Sequence, residues 1–323
     1  MKKVRFGVLS TAKIARNTLI PAMERAHNAQ VVAVASESGK AKEFAQELGI
    51  PKHYESYIDL LNDPEIDAVY IPLPNQLHKK WAIEAAKHGK HVLCEKPAAL
   101  TAEDVEEIAA VFNEQNVIFM EAFMYQFHPQ HQRVKEIIAD GEIGDVKLIR
   151  STFSFSLDLQ SDNIRLKKEI GGGVLYDVGC YCIHASRLIT GEEPVEVKAT
   201  ASIHPTHDVD ITAAGTLKFA SGVIANFDCS FEQPFKEHYE VVGTKGSIFV
   251  KHAFRPDNQG GNGMVIVNTD VGQREETVQG DQYKLQVEHF AACVLSGNQP
   301  LYSASETVKN MRVIEQALDA IRK

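Results

Sequence analysis

The spacing of hydrophobic residues changes near residue 124. Before that point, short β-rich runs alternate with longer segments whose apolar residues recur at helical spacing. The runs are Val4–Leu9, Val31–Ala35, Ala68–Ile71, His91–Cys94 and Val117–Met120, and the helical segments include Trp81–His88 and Ala102–Asn113. Strands that alternate with helices predict βαβ units and a parallel, doubly wound sheet. Such a sheet binds ligands beyond the carboxyl ends of its strands.

After residue 124 the pattern predicts one helix, His128–Ala139, and then longer β-rich stretches. These stretches are Val146–Phe155, Val195–Ile203, Ile211–Phe219, Val223–Phe231, His238–Val242 and Ser247–Val250. A capping box at Ser303–Glu306 starts a final amphipathic helix. The sequence therefore predicts an α/β Rossmann domain over residues 1–123. Residues 124–323 form an α+β domain with a large, mostly antiparallel sheet.

Composition narrows the class of protein. The 323 residues are 44% hydrophobic and 24% charged, which is typical of a soluble globular protein. The net charge of −9 argues against a nucleic-acid or anionic-membrane partner, because either needs a basic surface. No apolar run is long enough to span a membrane. The five cysteines are scattered without a C-x-x-C, which predicts a reducing cytoplasm and no disulfide framework.

The segment GVLSTAKIA, residues 7–15, stands where a dinucleotide-binding fold has G-x-G-x-x-G. Ser10, Ala12 and Ala15 replace the three glycines. Ala15 is an accepted substitute, whereas Ser10 is expected to need a turn with ordinary backbone angles. The backbone N–H groups of Thr11 to Ile14 could bind a pyrophosphate at the helix start. The alternative is an ordinary strand-to-helix turn rich in small residues.

Two further motifs contain side chains that could take part in catalysis. Lys96 follows a strand directly in the sequence Glu95-Lys96-Pro97, at the edge where ligands bind, although a solvated lysine at a turn is equally compatible. In the glycine-rich segment 171–184, Asp177 and Tyr181 are four residues apart and share one face if the segment is helical. A carboxylate, a phenol and a distant lysine could form a proton-transfer set.

The same segment contains Cys180, Cys182 and His184. Their crowded C-x-C-x-H spacing lacks the second ligand pair of a zinc site, so no metal is predicted. His204, His207 and Asp208 are interpreted as a polar loop.

Together these segments resemble the glucose–fructose oxidoreductase / inositol dehydrogenase / MocA family across essentially the whole chain. The resemblance rests on the order and spacing of GVLSTAKIA, YIPLPNQLH at 70–78, CEKP at 94–97, MEAFMYQFHPQ at 120–130 and GGGVLYDVGCYCIH at 171–184. The branch with dimeric dihydrodiol dehydrogenase and sugar 1-dehydrogenases is most similar. Myo-inositol dehydrogenases are less similar, because they carry histidine where Tyr181 stands.

The resemblance implies hydride transfer between a nicotinamide and a carbinol carbon of a sugar, polyol or related cyclic alcohol. It implies that Lys96 lies beside the nicotinamide and hydrogen-bonds the reacting oxygen, and that Tyr181 is the general acid or base. Asp177 would bind a substrate hydroxyl and support the charge of Lys96. A free tyrosine has a pKa of about 10, and a nearby ammonium would lower it toward neutrality.

The resemblance also implies the cofactor contacts. Besides the residues of the opening turn, they come from five later segments of the chain. They are Ser10, Thr11, Ala12, Lys13, Ile14, Ser36, Glu37, Pro72, Pro74, Asn75, His78, Glu95, Lys96 and Pro97, with Arg165 and Tyr283 from later in the chain. NADP-using relatives commonly have arginine where Glu37 stands. Because Glu37 would repel a 2′-phosphate and could accept from a ribose hydroxyl, the sequence favours NAD. NADP is the alternative, since Ser36 and Lys40 could serve its phosphate.

Two alternatives and one departure remain at this stage. The enzyme could be a trans-dihydrodiol dehydrogenase, or the chain could be a non-catalytic dinucleotide-sensing regulator. Gln126 stands where many relatives have arginine, which weakens inference about the substrate. Relatives bury the large sheet between subunits, so a homo-dimer or tetramer through the C-terminal sheet is expected.

Overall fold

The computed structural model describes residues 2–322, and packing divides them into two compact units. The first unit contains the residues up to Met124 together with Tyr283–Val308. The second contains Tyr125–Gln282 and the residues after Val308. The packing boundary at Met124 lies next to the predicted domain boundary, but residues 283–308 pack with the first unit. The assignment of residues 1–123 and 124–323 to separate functions stays a prediction.

The first unit is built on a six-stranded sheet whose paired strands are all parallel. Its strands are β1 (Val4–Leu9), β2 (Ala29–Ala35), β3 (Lys52–Tyr54), β4 (Ala68–Ile71), β5 (His91–Cys94) and β6 (Phe119–Glu121). The connecting helices are α1 (Ile20–Arg25), α2 (Ala41–Leu48), α3 (Tyr57–Leu61), α4 (Asn75–Lys87) and α5 (Ala102–Glu114). The order β3-β2-β1-β4-β5-β6 confirms the predicted doubly wound Rossmann sheet.

Burial explains why these segments form central strands. Every residue of β4 is buried, as expected when helices cover both faces of a parallel sheet. The Thr101 hydroxyl accepts a hydrogen bond from Asp104 N at 3.0 Å, which confirms the predicted N-cap of α5. Because the strands are parallel, their carboxyl ends meet at one edge. The strand order reverses there between β1 and β4, and this is where such sheets bind ligands.

The second unit contains a larger sheet, preceded by α6 (Pro129–Ala139). Its strands are β7 (Val146–Ser156), β8 (Pro194–Ile203), β9 (Asp210–Phe219), β10 (Ile224–Ser230), β11 (Glu232–Gly243), β12 (Gly246–Val250), β13 (Asn262–Thr269) and β14 (Gly272–Gln279). In the order β14-β13-β12-β11-β7-β10-β9-β8, the β7–β10 pair is parallel and the other neighbouring pairs are antiparallel. The predicted mostly antiparallel sheet is confirmed.

Helix α7 (Cys180–Thr190) continues a π-helical turn over Leu175–Gly179. The last helices are α8 (Gln282–Ser296) and α9 (Ala304–Arg322). On the sheet, the cross-strand row Leu217, Ala225, Ile149, Val241, Ile248 and Val267 is buried. Within residues 2–322, no helix has the length and apolar character needed to cross a membrane.

Candidate active site

The turn after β1 keeps the backbone shape of a glycine turn without the glycine. Ser10 has a φ of 135°, a region that residues with a side chain rarely adopt. Its N–H donates to Ala35 O at 2.9 Å, which ties the turn to the end of β2. The expectation that Ser10 takes ordinary backbone angles was therefore wrong. Because hydrogen bonds of the sheet fix the backbone path at this turn, Ser10 adopts a strained conformation.

We expect Ser10→Gly to raise the free energy of unfolding by about 1 kcal/mol. A non-glycine residue in such a region costs about 1–3 kcal/mol, and the greater flexibility of glycine in the unfolded chain offsets part of this gain. Urea denaturation of the two proteins measures the difference. Ser10→Ala is the control, since it removes the hydroxyl and keeps the strain. If Ser10→Gly were no more stable than the parent, the turn would not be strained.

A cavity of about 600 Å³ lies beside this turn. It is lined by Thr11, Lys13, Arg16, Asn17, Lys40, Glu43, Phe44 and Glu47. Arg16 pairs with Glu47 at 2.7 Å and lies 5.0 Å from the centre of the Phe44 ring. Backbone N–H groups at a helix start, small side chains and nearby cations form a donor set that fits an anionic dinucleotide.

The residues after β2 differ in exposure. Ser36 is buried, with its hydroxyl oxygen 2.8 Å from that of Ser38, whereas Glu37 is exposed. Lys40 is also exposed and lines the cavity. The edge of the sheet therefore presents one carboxylate and one ammonium close together in sequence.

His78 connects two of the predicted cofactor segments. Pro72 and Pro74 lead from β4 into α4, which begins at Asn75 and carries His78 on its first turns. The His78 Nε2 atom lies 2.7 Å from Leu73 O, and Nδ1 lies 2.7 Å from Pro97 O. Burial lowers the pKa of His78, and a neutral ring can donate only one of these hydrogen bonds at a time. The ring thus links the turn after β4 to the segment that contains Lys96.

Lys96 follows β5 and belongs to a cis Lys96–Pro97 peptide. Burial raises the pKa of the neighbouring Glu95, whose carboxylate accepts from the Tyr70 hydroxyl at 2.6 Å. Burial also raises the pKa of Glu121 on β6 to about 7. The charge of Lys96 favours the ionised form of both carboxyls. The predicted lysine therefore interacts with a half-buried acid and a buried acid, which the solvated-turn alternative did not anticipate.

Tyr283 lies on α8 in the same compact unit and is buried. Its phenol interacts electrostatically with that of Tyr70. This places Tyr283 near the β4 side of the sheet, while its contact with a cofactor stays a prediction.

In the second unit, the three glycines before α7 allow close approaches of the backbone. Gly171 and Gly173 have φ values of 84° and 117°, and a Cβ on Gly172 would lie 2.7 Å from Arg165 O. The buried Asp210 carboxylate accepts from Leu175 N at 2.7 Å, at the start of the helical segment. These contacts fix the segment that carries Asp177 and Tyr181. This glycine-rich loop is therefore closely packed.

Asp177 is held by Arg165. The guanidinium Nε lies 2.5 Å from Asp177 Oδ2, and this pairing raises the pKa of Arg165, to which Tyr181 also contributes. Arg165 further lies 5.7 Å from the centre of the Phe155 ring. Arg165, Asp177 and Tyr181 therefore form one cluster within the second unit. The predicted support of Lys96 by Asp177 stays a prediction.

Aromatic rings surround Tyr181 on several sides. The ring centres of Phe153, Phe254 and Tyr125 lie 5.4, 5.5 and 5.7 Å from that of Tyr181. Glu237 accepts from Phe254 N at 2.6 Å and so holds this ring, and burial raises the pKa of Glu237 to about 7. Sequence reasoning missed these residues. They come from distant strands and loops, and each looks like an ordinary core residue in the sequence.

The cysteines and histidine of the C-x-C-x-H segment have other partners. Tyr125 Oη lies 2.6 Å from His184 Nδ1, Cys182 Sγ donates to Asp228 O and Cys180 Sγ donates to Asp177 O. Across residues 2–322, no three His, Cys, Asp or Glu side chains are grouped so that they could hold a metal ion.

Comparison with known proteins agrees with this arrangement. Residues 4–123 match the model of the oxidoreductase family with an NAD-binding Rossmann fold, and residues 131–249 match the GFO/IDH/MocA C-terminal domain. D-xylose 1-dehydrogenase (NADP⁺) 2 of Haloferax volcanii is 39% identical over 96% of this chain and 95% of its own. Trans-1,2-dihydrobenzene-1,2-diol dehydrogenase of Xenopus laevis is 31% identical, over 98% of both chains.

A solved structure is also similar. The 3-ketoreductase from Actinomadura kijaniata, crystallised with NADP and TDP-benzene, is 30% identical with a TM-score of 0.92. The alignment covers 99% of this chain and 97% of that chain. The two matched domains, the shared fold and the extent of identity give one conclusion: the chain belongs to the Gfo/Idh/MocA family of NAD(P)-dependent oxidoreductases.

Proposed function

We propose that this enzyme transfers hydride between a nicotinamide and a carbinol carbon of a sugar or a related cyclic alcohol, with Lys96 and Tyr181 as its catalytic residues. The observation that carries the proposal is the second-unit cluster, in which Asp177 pairs with the Arg165 guanidinium and Tyr181 interacts with it electrostatically. This cluster follows Lys96 in the order and spacing of the family motifs. A phenol with a charged neighbour is the type of group that general acid–base catalysis requires.

Each residue has one role in this proposal. When bound, the nicotinamide supplies or accepts the hydride. Lys96 donates a hydrogen bond to the carbinol oxygen and stabilises the negative charge that develops there. Tyr181 takes the hydroxyl proton during oxidation and returns it during reduction. Asp177 accepts a hydrogen bond from a neighbouring substrate hydroxyl, while Arg165 keeps that carboxylate ionised and oriented.

The substrate class follows from Asp177 and from the named relatives. Asp177 suits a ligand with several hydroxyl groups, as in an aldose. Phe254 and Tyr125 are fully buried, so the rings around Tyr181 hold its phenol in place. The relatives named D-xylose 1-dehydrogenase and dihydrodiol dehydrogenase support an aldose and a dihydrodiol. A cyclic aldose is therefore the first candidate, and a trans-dihydrodiol is the second.

We propose that NAD is preferred over NADP. Glu37 follows β2 by two residues and is exposed. Its carboxylate can accept a hydrogen bond from a ribose hydroxyl and repels a 2′-phosphate. Lys40 and Lys13 line the nearby cavity and act in the opposite direction. The carboxylate decides the preference here because it directly follows Ser36, at the position that relatives using NADP fill with arginine.

A nicotinamide-absorbance screen tests the proposed function. The enzyme is assayed with NAD and with NADP against aldoses, inositols, sugar acids and trans-dihydrodiols. We expect turnover with at least one aldose or dihydrodiol. Cofactor binding without turnover on any member would instead support the dinucleotide-sensing regulator.

We propose a homo-dimer or tetramer that pairs the large sheet. The face opposite the buried row carries Val242, Leu148 and Ile224 in one cross-strand row, with Phe249 and Ile266 beside each other on β12 and β13. Ile224 is 41% exposed. Apolar side chains grouped on a sheet face mark an association surface. The enzyme is also proposed to be cytoplasmic, since its described cysteines are free and buried.

We expect Phe249→Glu to reduce the mass measured by light scattering to that of a monomer. A buried glutamate would leave an unpaired charge in the interface. Val271→Glu, at a turn position that is 92% exposed, is the matched control and keeps the parental mass. A parent protein that is monomeric at micromolar concentration would contradict the proposal.

A further inference from the structure

Glu121 connects the last strand of the Rossmann sheet to the segment of Lys96. It pairs with Cys94, the last residue of β5, and the next residue, Ala122, donates its N–H to Cys94 O at 2.8 Å. The Glu121 Oε1 atom accepts from Ala98 N at 2.8 Å. Residues 121 and 122 therefore hold the chain on both sides of Lys96: the backbone pairs with Cys94, two residues before it, and the Glu121 carboxyl binds Ala98, two residues after it.

The carboxyl of Glu121 is enclosed by protein. The residue is 2% exposed, and its carboxyl interacts with the hydroxyl groups of Tyr302 and Thr307 as well as with the charge of Lys96. Cys94 is the other titratable group that interacts with it. Burying a carboxyl in such a place is unfavourable unless a charge or hydrogen bonds compensate. The cost of burying Glu121 is therefore offset by its hydrogen bonds and by the charge of Lys96.

Glu95 does not fill the same role. Its carboxylate also interacts with the charge of Lys96, but it binds the Tyr70 hydroxyl at 2.6 Å and the backbone of Lys96 itself, whereas Glu121 binds the turn after Pro97. His78 holds Pro97 O through a backbone contact, and that contact adds no negative charge. Of these three side chains, Glu121 is the one that binds the turn after Pro97 with a carboxylate. Its negative charge also interacts with the charge of Lys96.

We propose that Glu121 is a positioning residue for Lys96: its carboxylate fixes the turn after Pro97 and keeps the lysine charged and oriented for the reaction. The inference rests on the proposed role of Lys96. It adds that a second acid, from β6, interacts with this lysine besides the neighbouring Glu95. Because the acid acts through Lys96, its effect can be measured on the lysine itself without any substrate.

The test compares Glu121→Gln with the parent enzyme by lysine-resolved acetylation and mass spectrometry. The glutamine can still accept from Ala98 N but carries no charge. At about pH 9 the parental carboxyl is ionised, and we expect Lys96 to be acetylated about 3-fold faster in the variant, since loss of an opposite charge favours the free amine. Asp63→Asn is the matched control, because Asp63 is another buried acid of the first unit that pairs with Lys52.

The second readout is turnover on the best substrate from the screen. We expect Glu121→Gln to lower kcat about 10-fold, and to have no further effect in a Lys96→Met background, since residues that act together are not additive. Thr307→Val weakens the support of the carboxylate and replaces Glu121→Gln if that variant does not fold. It is expected to change both readouts in the same direction and by less.

The outcomes separate the two proposals. Parental acetylation of Lys96 in the Glu121→Gln enzyme would overturn the inference even if Lys96→Met were inactive. Faster acetylation with an unchanged kcat would also overturn it, because the charge would then have no part in the reaction. Parental activity of Lys96→Met would instead refute the proposed role of Lys96, whatever the acetylation rates.

Discussion

Lys96→Met and Tyr181→Phe are each expected to lower kcat by about 100- to 10,000-fold, the range that a general acid–base group contributes. The first change removes the ammonium that stabilises the developing alkoxide. The second removes the hydroxyl that carries the proton and leaves the ring. Steady-state kinetics on the best substrate from the screen gives kcat, and quenching of protein fluorescence by the reduced nicotinamide gives cofactor affinity.

The structure shows why these substitutions leave the fold intact. The Tyr181 ring packs between Phe153, Phe254 and Tyr125, and phenylalanine fills the same space. Lys96 is only half-buried, so methionine is accommodated at the edge of the sheet. A fall in activity should therefore come without a comparable fall in stability or cofactor affinity.

Each of the two residues has a matched control. Tyr176→Phe removes a phenol hydroxyl five residues from Tyr181 in the same helical segment, and Lys80→Met removes an exposed ammonium from α4. Both controls are expected to keep the parental kcat. If Lys96→Met and Tyr181→Phe both turned over substrate at the parental rate, the proposed mechanism would be abandoned.

Glu37→Arg is expected to shift the ratio of kcat/KM for NADP over NAD by about 10- to 100-fold toward NADP. The parental carboxylate repels a 2′-phosphate, whereas arginine donates charge-assisted hydrogen bonds that are worth about 1.5–3 kcal/mol. Glu37 is exposed, so the longer side chain meets no packing constraint. Initial rates at varied concentrations of each cofactor give the ratio.

Lys40→Ala distinguishes the effect of the Glu37 carboxylate on cofactor preference from that of the cations in the cavity. Lys40 is exposed and lines the cavity beside the opening turn. If NAD is the physiological cofactor, this substitution leaves kcat/KM for NAD close to the parental value. A parent enzyme that binds NADP tenfold more tightly than NAD would show that the cations outweigh Glu37, and the preference for NAD would then be wrong.

The sequence predicted the architecture because each unit has a clear hydrophobic period. The runs at Val4–Leu9, Ala68–Ile71 and His91–Cys94 form β1, β4 and β5 with the predicted bounds. Strand β3 was missed because Lys52–Tyr54 is short and has no hydrophobic run. Strand β14, GQREETVQ, was missed because an edge strand with charged side chains has the polarity of a loop.

The candidate site was predicted only in part, because sequence motifs do not show long-range contacts. Lys96 could be recognised from its position after a strand and from the family motif. Glu121, 25 residues later by numbering, had no pattern that linked it to Lys96 before the pairing of β5 with β6 was known. Asp210 and Phe254 reach the α7 segment from a distant strand and loop, and therefore also gave no signal.

Ser10 shows the limit of reasoning from a single motif. Loss of the first glycine suggested a change in the backbone, but the turn keeps a φ of 135°. The bond from Ser10 N to Ala35 O and the packing of the sheet determine the path of the chain. The glycine pattern therefore describes a preference of the turn, and the fold can impose the same turn on another residue.

Transfer of deuterium tests the central claim most directly. An aldose from the screen, deuterated at its reactive carbinol carbon, is incubated with the enzyme and oxidised cofactor, and the reduced nicotinamide is analysed by mass spectrometry. We predict that the deuterium appears in the nicotinamide with the parent enzyme and not with Tyr181→Phe over the same time. Cofactor that binds but never acquires deuterium from any carbinol substrate would contradict the account.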